Sequence, residues 1–134
     1  MKENDFRIGN YLIDPTGEKY NFDGTCIVTM VSDKRINAKA LPELDRSIYK
    51  NCGELLKPIP LTIEWLMKFG FCWRQNYDSW VHPKDNKEET TIDLIISKGF
   101  YVCDMDHNPE IKYVHQLQNL YFALTGEELL IKSN

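Results

Sequence analysis

The stretch from Tyr113 to Leu130, YVHQLQNLYFALTGEELL, most constrains the fold, because its apolar residues recur at spacings of three and four. That spacing places them on one face of a helix, predicted over about residues 113–125. The residues of this face are Val114, Leu117, Leu120, Tyr121 and Leu124. A helix of roughly a dozen residues is marginal alone in water. It therefore needs a surface, and the strand-like segments before it are the expected one.

The polar residues of the same stretch are expected mostly on the solvent side of this helix. They are His115, Gln116, Gln118 and Asn119. For His115 the alternative is a hydrogen bond to the sheet. Gly126 stands where a residue with left-handed backbone geometry would end the helix.

The first part of the chain, residues 1–58, reads as short strands separated by turns. Thr25 to Val31 has apolar residues on both alternating faces, which indicates a central strand. In the next strand Ile36, Ala38 and Ala40 alternate inward. Pro58 is tolerated only at the edge or end of a strand, so the last strand is predicted at a sheet edge. Four or five short strands predict a small meander or an SH3-like barrel.

The second part, residues 59–134, begins with a short helix predicted at about residues 62–69. Thr62 is the expected N-cap, and Gly70 is expected to end the helix. Phe71 is then expected to fold back onto Leu66. The two parts are predicted subdomains, 1–58 and 59–134, of one compact unit.

Between the two predicted helices lie about four strands of an antiparallel sheet. The candidate segments are Cys72 to Arg74, Ser79 to His82, Thr91 to Ile96 and Phe100 to Asp104. The complete prediction is an α+β protein. It places a meander or SH3-like barrel first, then an antiparallel sheet of about four strands packed on the two helices.

Composition excludes several classes of protein. The chain has 134 residues, a net charge of −4 and a pI near 5.4, which argues against a general phosphate-backbone binder. No apolar run approaches the roughly 18 residues of a membrane span, and a signal-peptide core is absent from the first ten residues. A cytoplasmic protein that does not enter a membrane is therefore expected. The four scattered cysteines predict buried free thiols rather than a zinc site.

Two patterns of acidic residues resemble metal-binding motifs, but neither is predicted to be a metal site. The run Asp104 to Asn108 begins like a calcium loop, but Pro109 replaces the required Gly and His115 the required Glu. Glu110 and Lys112 have the E-x-K spacing of magnesium-dependent nucleases, with Asp93 or Asp104 as the upstream carboxylate. That spacing is common by chance. The sequence therefore predicts no metal, no cofactor and no catalytic residue.

Aromatic and basic residues supply the candidate binding surfaces. Trp73 and Trp80 are predicted cross-strand neighbours in a hairpin that also contains Tyr77. These rings either pack in the core or form an exposed patch for a partner. In the first part Lys34, Arg35 and Lys39, together with Arg7, can form a basic rim.

Two longer segments resemble a known family. They are PIPLTIEWLMKFGF, Pro58 to Phe71, and YVHQLQNLYFALTGEEL, Tyr113 to Leu129. Both are similar to signatures of small uncharacterised proteins of Bacteroides-type gut bacteria and their phages, as is the IGNY segment at Ile8 to Tyr11. The chain departs from that pattern between Ala40 and Glu54 and in the PKDNKEE segment. The resemblance implies a cytoplasmic protein, often carried by mobile elements, and supplies no catalytic residue.

The leading functional prediction is a non-enzymatic protein-interaction module of a phage or mobile element. Its partner-binding candidates are Trp73, Tyr77 and Trp80, with the basic residues Lys34, Arg35 and Lys39. The alternatives are a nucleic-acid-binding accessory protein and a metal-dependent nuclease. A homodimer through an edge strand near Leu55 to Ile59 is also considered.

Overall fold

The computed structural model describes residues 6–15, 24–32, 36–40, 48–49, 56–75, 79–83, 90–96, 99–102 and 110–132. Its elements confirm a mixed α+β protein with antiparallel pairing. In chain order they are β1 Tyr11–Ile13, β2 Thr25–Val31, β3 Ile36–Ala40, β4 Ile48–Tyr49, β5 Lys57–Pro58, α1 Ile63–Lys68, β6 Cys72–Arg74, β7 Ser79–Pro83, β8 Thr90–Ile96, β9 Phe100–Val102, β10 Glu110–Ile111 and α2 Val114–Thr125.

The chain divides into two compact units, and helix α2 contributes to both. The first unit is Met1–Ile59 with Tyr113–Asn119, and the second is Pro60–Lys112 with Leu120–Asn134. The predicted division, 1–58 and 59–134, placed the whole C-terminal helix in the second part.

The first unit contains a five-stranded sheet in the order β4-β3-β2-β1-β5. Strands β1 to β4 form an antiparallel meander, with β2 between β1 and β3. Strand β5 pairs with the free side of β1, so Pro58 lies at a sheet edge as predicted. Among the described strands the outer ones, β4 and β5, are not neighbours, and a closed SH3-like barrel is not observed.

The core of the first sheet follows the predicted alternation. Ala38 and Ala40 are buried and Ile36 packs against them. The buried cluster is Leu12, Cys26, Val28, Ala38, Ala40 and Leu56, with Phe6 and Ile36 at its border. The register of β2 against β3 shifts between Val28 and Met30, and Thr29 and Val31 are exposed, so the end of this central strand is less buried than its start.

The second unit contains a five-stranded antiparallel sheet in the order β10-β9-β8-β7-β6. The four predicted strands are present as β6 to β9. The fifth is β10, which pairs with β9 through Glu110 and Ile111. A strand of two residues is too short for its alternation to be recognised in a sequence, and this is why it was missed.

Helix α1 begins and ends as predicted. The Thr62 hydroxyl accepts a hydrogen bond from the Trp65 N–H at 3.3 Å. At the other end Gly70 has φ of 90°. The Phe71 N–H donates to the Leu66 carbonyl at 2.9 Å, which turns the chain back over the helix. No described helix is long and apolar enough to cross a lipid bilayer.

Helix α2 has the predicted bounds, but the expected exposure of its polar side is wrong. His115, Gln116 and Gln118 are buried, whereas Leu124 is 52% exposed. In the first unit Gln118 hydrogen-bonds to the backbone beside β1, so burial satisfies polar groups there. The sequence offered one sign of this: none of the 12 residues of α2 is charged, whereas a solvent-facing helix side normally carries charge.

Candidate partner-binding hairpin

Strands β6 and β7 form a hairpin that presents a pair of tryptophans. Trp73 and Trp80 are directly opposite each other, which confirms the predicted cross-strand pair. Their ring centroids lie 5.9 Å apart with an interplanar angle of 59°. The Trp73 side chain is 47% exposed, and Trp80 is half-buried. The hairpin therefore leaves a large aromatic surface in solvent.

Trp65 differs from this pair. It lies on α1 and is only 7% exposed, with the Phe69 ring 5.5 Å away. The Lys68 ammonium lies 4.5 Å from the centre of its ring, a cation–π contact. Trp65 therefore lies in the core, whereas Trp73 lies at the surface.

A second, buried group of rings belongs to the same unit. Two residues from Trp73 and Trp80 along their strands, the Phe71 and His82 rings meet edge to face at 5.1 Å. His82 in turn meets Tyr121 of α2 at 5.0 Å. We call Trp73, Trp80, Phe71, His82 and Tyr121 the aromatic ladder. Phe71, His82 and Tyr121 are buried, whereas Trp73 is exposed and packs against Trp80.

His82 is the residue of the aromatic ladder whose side chain ordinarily titrates near neutral pH. Burial lowers the pKa of its imidazole, and the positive charge of Lys132 lowers this pKa further. Hydrogen bonding with the backbone of Phe69 and of His82 itself acts in the opposite direction. The net direction is a pKa below the ordinary 6.5, so His82 is neutral at pH 7.

Of the remaining predicted binding residues, the structure describes only Lys39. Lys39 belongs to the first unit, where it is half-buried in β3 opposite Ile27 and Ile48. Tyr77, Lys34 and Arg35 lie outside the described residues. Trp73 and Trp80 are therefore the members of the predicted set that the structure places together.

Cys72 lies beside Trp73 on β6 and is exposed, so the expectation of a buried thiol is wrong for this residue. Cys72 and Trp73 lie on opposite faces of the sheet, and Cys72 pairs with Val81 of the neighbouring strand β7. Cys26 is free and buried, as predicted. Cys52 and Cys103 lie outside the described residues.

The residues predicted for metal chemistry form no described cluster. Glu110 and Lys112 are both exposed. The Asp93 side chain and the run Asp104 to Asn108 lie outside what the structure describes. Within the described residues, no group of three or more His, Cys, Asp or Glu side chains is placed to hold a metal ion.

Comparison with known proteins adds no assignment: no family model, no curated protein and no solved structure matches this chain.

Proposed function

We propose that this chain is a non-enzymatic protein-interaction module and that the exposed Trp73 of the aromatic ladder contacts the partner. The observation that carries the proposal is the 47% exposure of Trp73 on a strand at the edge of its sheet. Tryptophan is enriched at the energetic centres of protein interfaces, because its large ring buries much area at low entropic cost.

Packing behind Trp73 supports the same proposal. Trp80 stands opposite Trp73 on one side and opposite the buried Leu94 on the other. A ring fixed in this way loses little conformational freedom when a partner covers it, and this favours binding. An exposed ring without such support would lose more.

The resemblance to proteins of gut bacteria and their phages extends the proposal to a cytoplasmic role for a mobile element. It also sets the choice of lysate in the experiment. An SH3-like barrel formed by the first sheet belongs to this proposal and not to the described fold.

The test is affinity capture from a Bacteroides-type lysate, with and without nuclease, read by mass spectrometry. Trp73→Ala is compared with Leu124→Ala, which removes a similarly exposed apolar side chain at 52% exposure from α2 of the same unit. We expect a protein partner that survives nuclease, is lost with Trp73→Ala and is kept with Leu124→Ala. Equal capture by both variants would contradict the proposed surface.

Nuclease treatment decides between this proposal and the nucleic-acid alternative. A partner set that disappears with nuclease would favour the basic rim of Lys34, Arg35 and Lys39. Binding should then weaken steeply as salt is raised, because phosphate contacts release counterions.

A further inference from the structure

The sheet edges of this protein differ in how they are protected against an additional strand. Exposed edges usually carry proline, charge or a covering segment, because their free N–H and C=O groups otherwise pair with other chains. Strand β5 contains Pro58, which has no N–H, and the exposed Lys57. Both features discourage strand addition at that edge.

The edge at β10 is protected in another way. Glu110 is exposed there, and its charge opposes an apolar strand. Immediately beyond the strand, the Lys112 carbonyl accepts a hydrogen bond from the Leu61 N–H at 2.9 Å. A segment of the same unit therefore already occupies this end of the edge.

The edge at β6 contains one charged residue, Arg74, and an exposed aromatic ring at its centre. Among the described strands β6 has β7 on one side and no strand on the other. Trp73 at its centre is exposed, as is Cys72 next to it. A row of backbone donors and acceptors beside an exposed indole is chemically matched to an extended chain with apolar side chains.

The size of this surface selects the kind of occupant. Three residues of strand span about 10 Å. A stable protein pair buries roughly 800 Å² on each partner, far more than one indole and three backbone units provide. The edge therefore suits a short linear segment of a partner better than a second copy of this chain.

We propose that β6 receives an extended segment of a partner protein as an added strand, with a β-branched or aromatic side chain of that segment lying across from Trp73. This inference rests on the proposed function and names the class of partner. Hydrogen bonds between the backbone of β6 and that of the partner segment select a segment in an extended conformation. The side chain across from Trp73 supplies selectivity, because aromatic and β-branched residues pair favourably across strands.

The probe is a library of short linear peptides displayed on phage and selected on the full chain. Selected peptides should share a β-branched or aromatic position. They should bind Trp73→Ala about tenfold or more weakly than wild type and bind Leu124→Ala like wild type. Circular dichroism of both variants confirms that they are folded.

N-methylation of the selected peptide tests the added strand itself. Along a strand the N–H groups point alternately to the two sides, so only alternate residues can donate to β6. Methylation of one alternate set should weaken binding about tenfold or more, and methylation of the other set should leave binding unchanged. If methylation of either alternate set of N–H groups has the same effect on binding, the proposal of an added strand is overturned.

The two proposals fail in different ways. A lysate partner that requires Trp73, together with peptides whose binding ignores the methylation pattern, would keep the interaction module and remove the added strand. If no peptide requiring Trp73 is selected, the added strand is also overturned. If light scattering detects a dimer that Trp73→Ala abolishes, the occupant of β6 is a second copy of this chain and the proposal of a linear partner segment is overturned.

Discussion

At the scale of single residues, the side chain of Gln118 in helix α2 hydrogen-bonds to backbone groups in and beside β1, as a neighbouring strand would. Its Oε1 accepts from the Tyr11 N–H at 2.8 Å, and its Nε2 donates to the Gly9 carbonyl at 3.0 Å. A primary amide carries one acceptor and two donors, so it can serve both backbone groups at once. Asn119 extends the arrangement by accepting from the Asn10 side chain at 2.9 Å.

Replacing this amide by an apolar side chain of similar size should therefore destabilise the first unit. In Gln118→Leu the buried Tyr11 N–H and the half-buried Gly9 carbonyl lose these partners. Each such loss costs about 1–3 kcal/mol, so we expect a decrease of about 2–6 kcal/mol in the free energy of unfolding. Urea denaturation followed by circular dichroism measures it.

Gln75→Leu is the matched control, because Gln75 is exposed. It should change the free energy of unfolding by less than about 0.5 kcal/mol. If the two variants are equally stable, the Gln118 amide does not hold the backbone in the way described.

His82 gives the second prediction at this scale, a dependence of stability on pH. Its pKa in the folded protein is below 6.5 because burial and Lys132 disfavour the charged imidazole. As pH falls below 6.5 the unfolded chain takes up the proton first, so folding becomes less favourable. The stability contributed by neutral His82 is complete above pH 6.5 and is lost as pH falls towards the lowered pKa.

The comparison between wild type and His82→Gln isolates this effect. The other two of the three histidines, His107 and His115, are the same in both proteins. We expect the wild-type free energy of unfolding to fall more steeply between pH 7.5 and pH 5.5 than that of the variant, in urea titrations at fixed salt. Parallel pH profiles would show that His82 titrates alike in the folded and unfolded chains.

At the scale of elements, two glycines end the two helices with left-handed backbone geometry. Gly70 has φ of 90° and Gly126 has φ of 74°. Their surroundings differ. A Cβ at Gly70 would meet the Lys132 side chain, whereas the described residues leave open space around a Cβ at Gly126. The Lys132 N–H also donates to the Lys68 carbonyl at 2.9 Å, so the C-terminal segment is tied to α1 there.

This difference predicts unequal costs for the same substitution. Gly126→Ala should cost about 1 kcal/mol, from left-handed strain alone. Gly70→Ala should cost slightly more, because the flexible end of the Lys132 side chain must also move aside. Urea denaturation of the two variants gives the comparison, and a Gly126→Ala cost equal to or above that of Gly70→Ala would contradict it.

At the scale of the whole molecule, α2 is shared between the two units, and all three tryptophans belong to the second. Trp65, Trp73 and Trp80 fall within Pro60–Lys112, while the first unit contains none. A helix of 12 residues is marginal without tertiary packing. Loss of the packing around the first half of α2 should therefore weaken its second half.

Val28→Ala tests this coupling, since Val28 is 1% exposed in the core of the first unit. Loss of two buried methyl groups should cost about 2 kcal/mol. We expect the tryptophan fluorescence transition in urea to shift to a lower midpoint, in step with circular dichroism. Val31→Ala on the same strand, where the side chain is 40% exposed, should shift it little. A fluorescence midpoint unmoved by Val28→Ala would mean that the second unit unfolds independently.

Much of the fold could be predicted because its signals are local. Thr62 and Gly70 delimit α1 by hydrogen bonds within a few residues. The alternation of Ile36, Ala38 and Ala40 indicated the inward face of β3. At the candidate site, the Trp73–Trp80 pair followed from hairpin geometry. The exposure of Trp73 did not, because it depends on which elements cover each part of the sheet.

The sequence by itself determined where the two helices begin and end and which segments form the longer strands, since capping, turns and alternation act between close neighbours. Only the tertiary structure decided which side of α2 is buried. Gln118 and Tyr11 are separated by 107 residues, and their hydrogen bond exists only once the first sheet is assembled. Backbone groups at the start of β1 require partners, and the amides of α2 meet that requirement, so a side that hydropathy assigns to water lies in the interior.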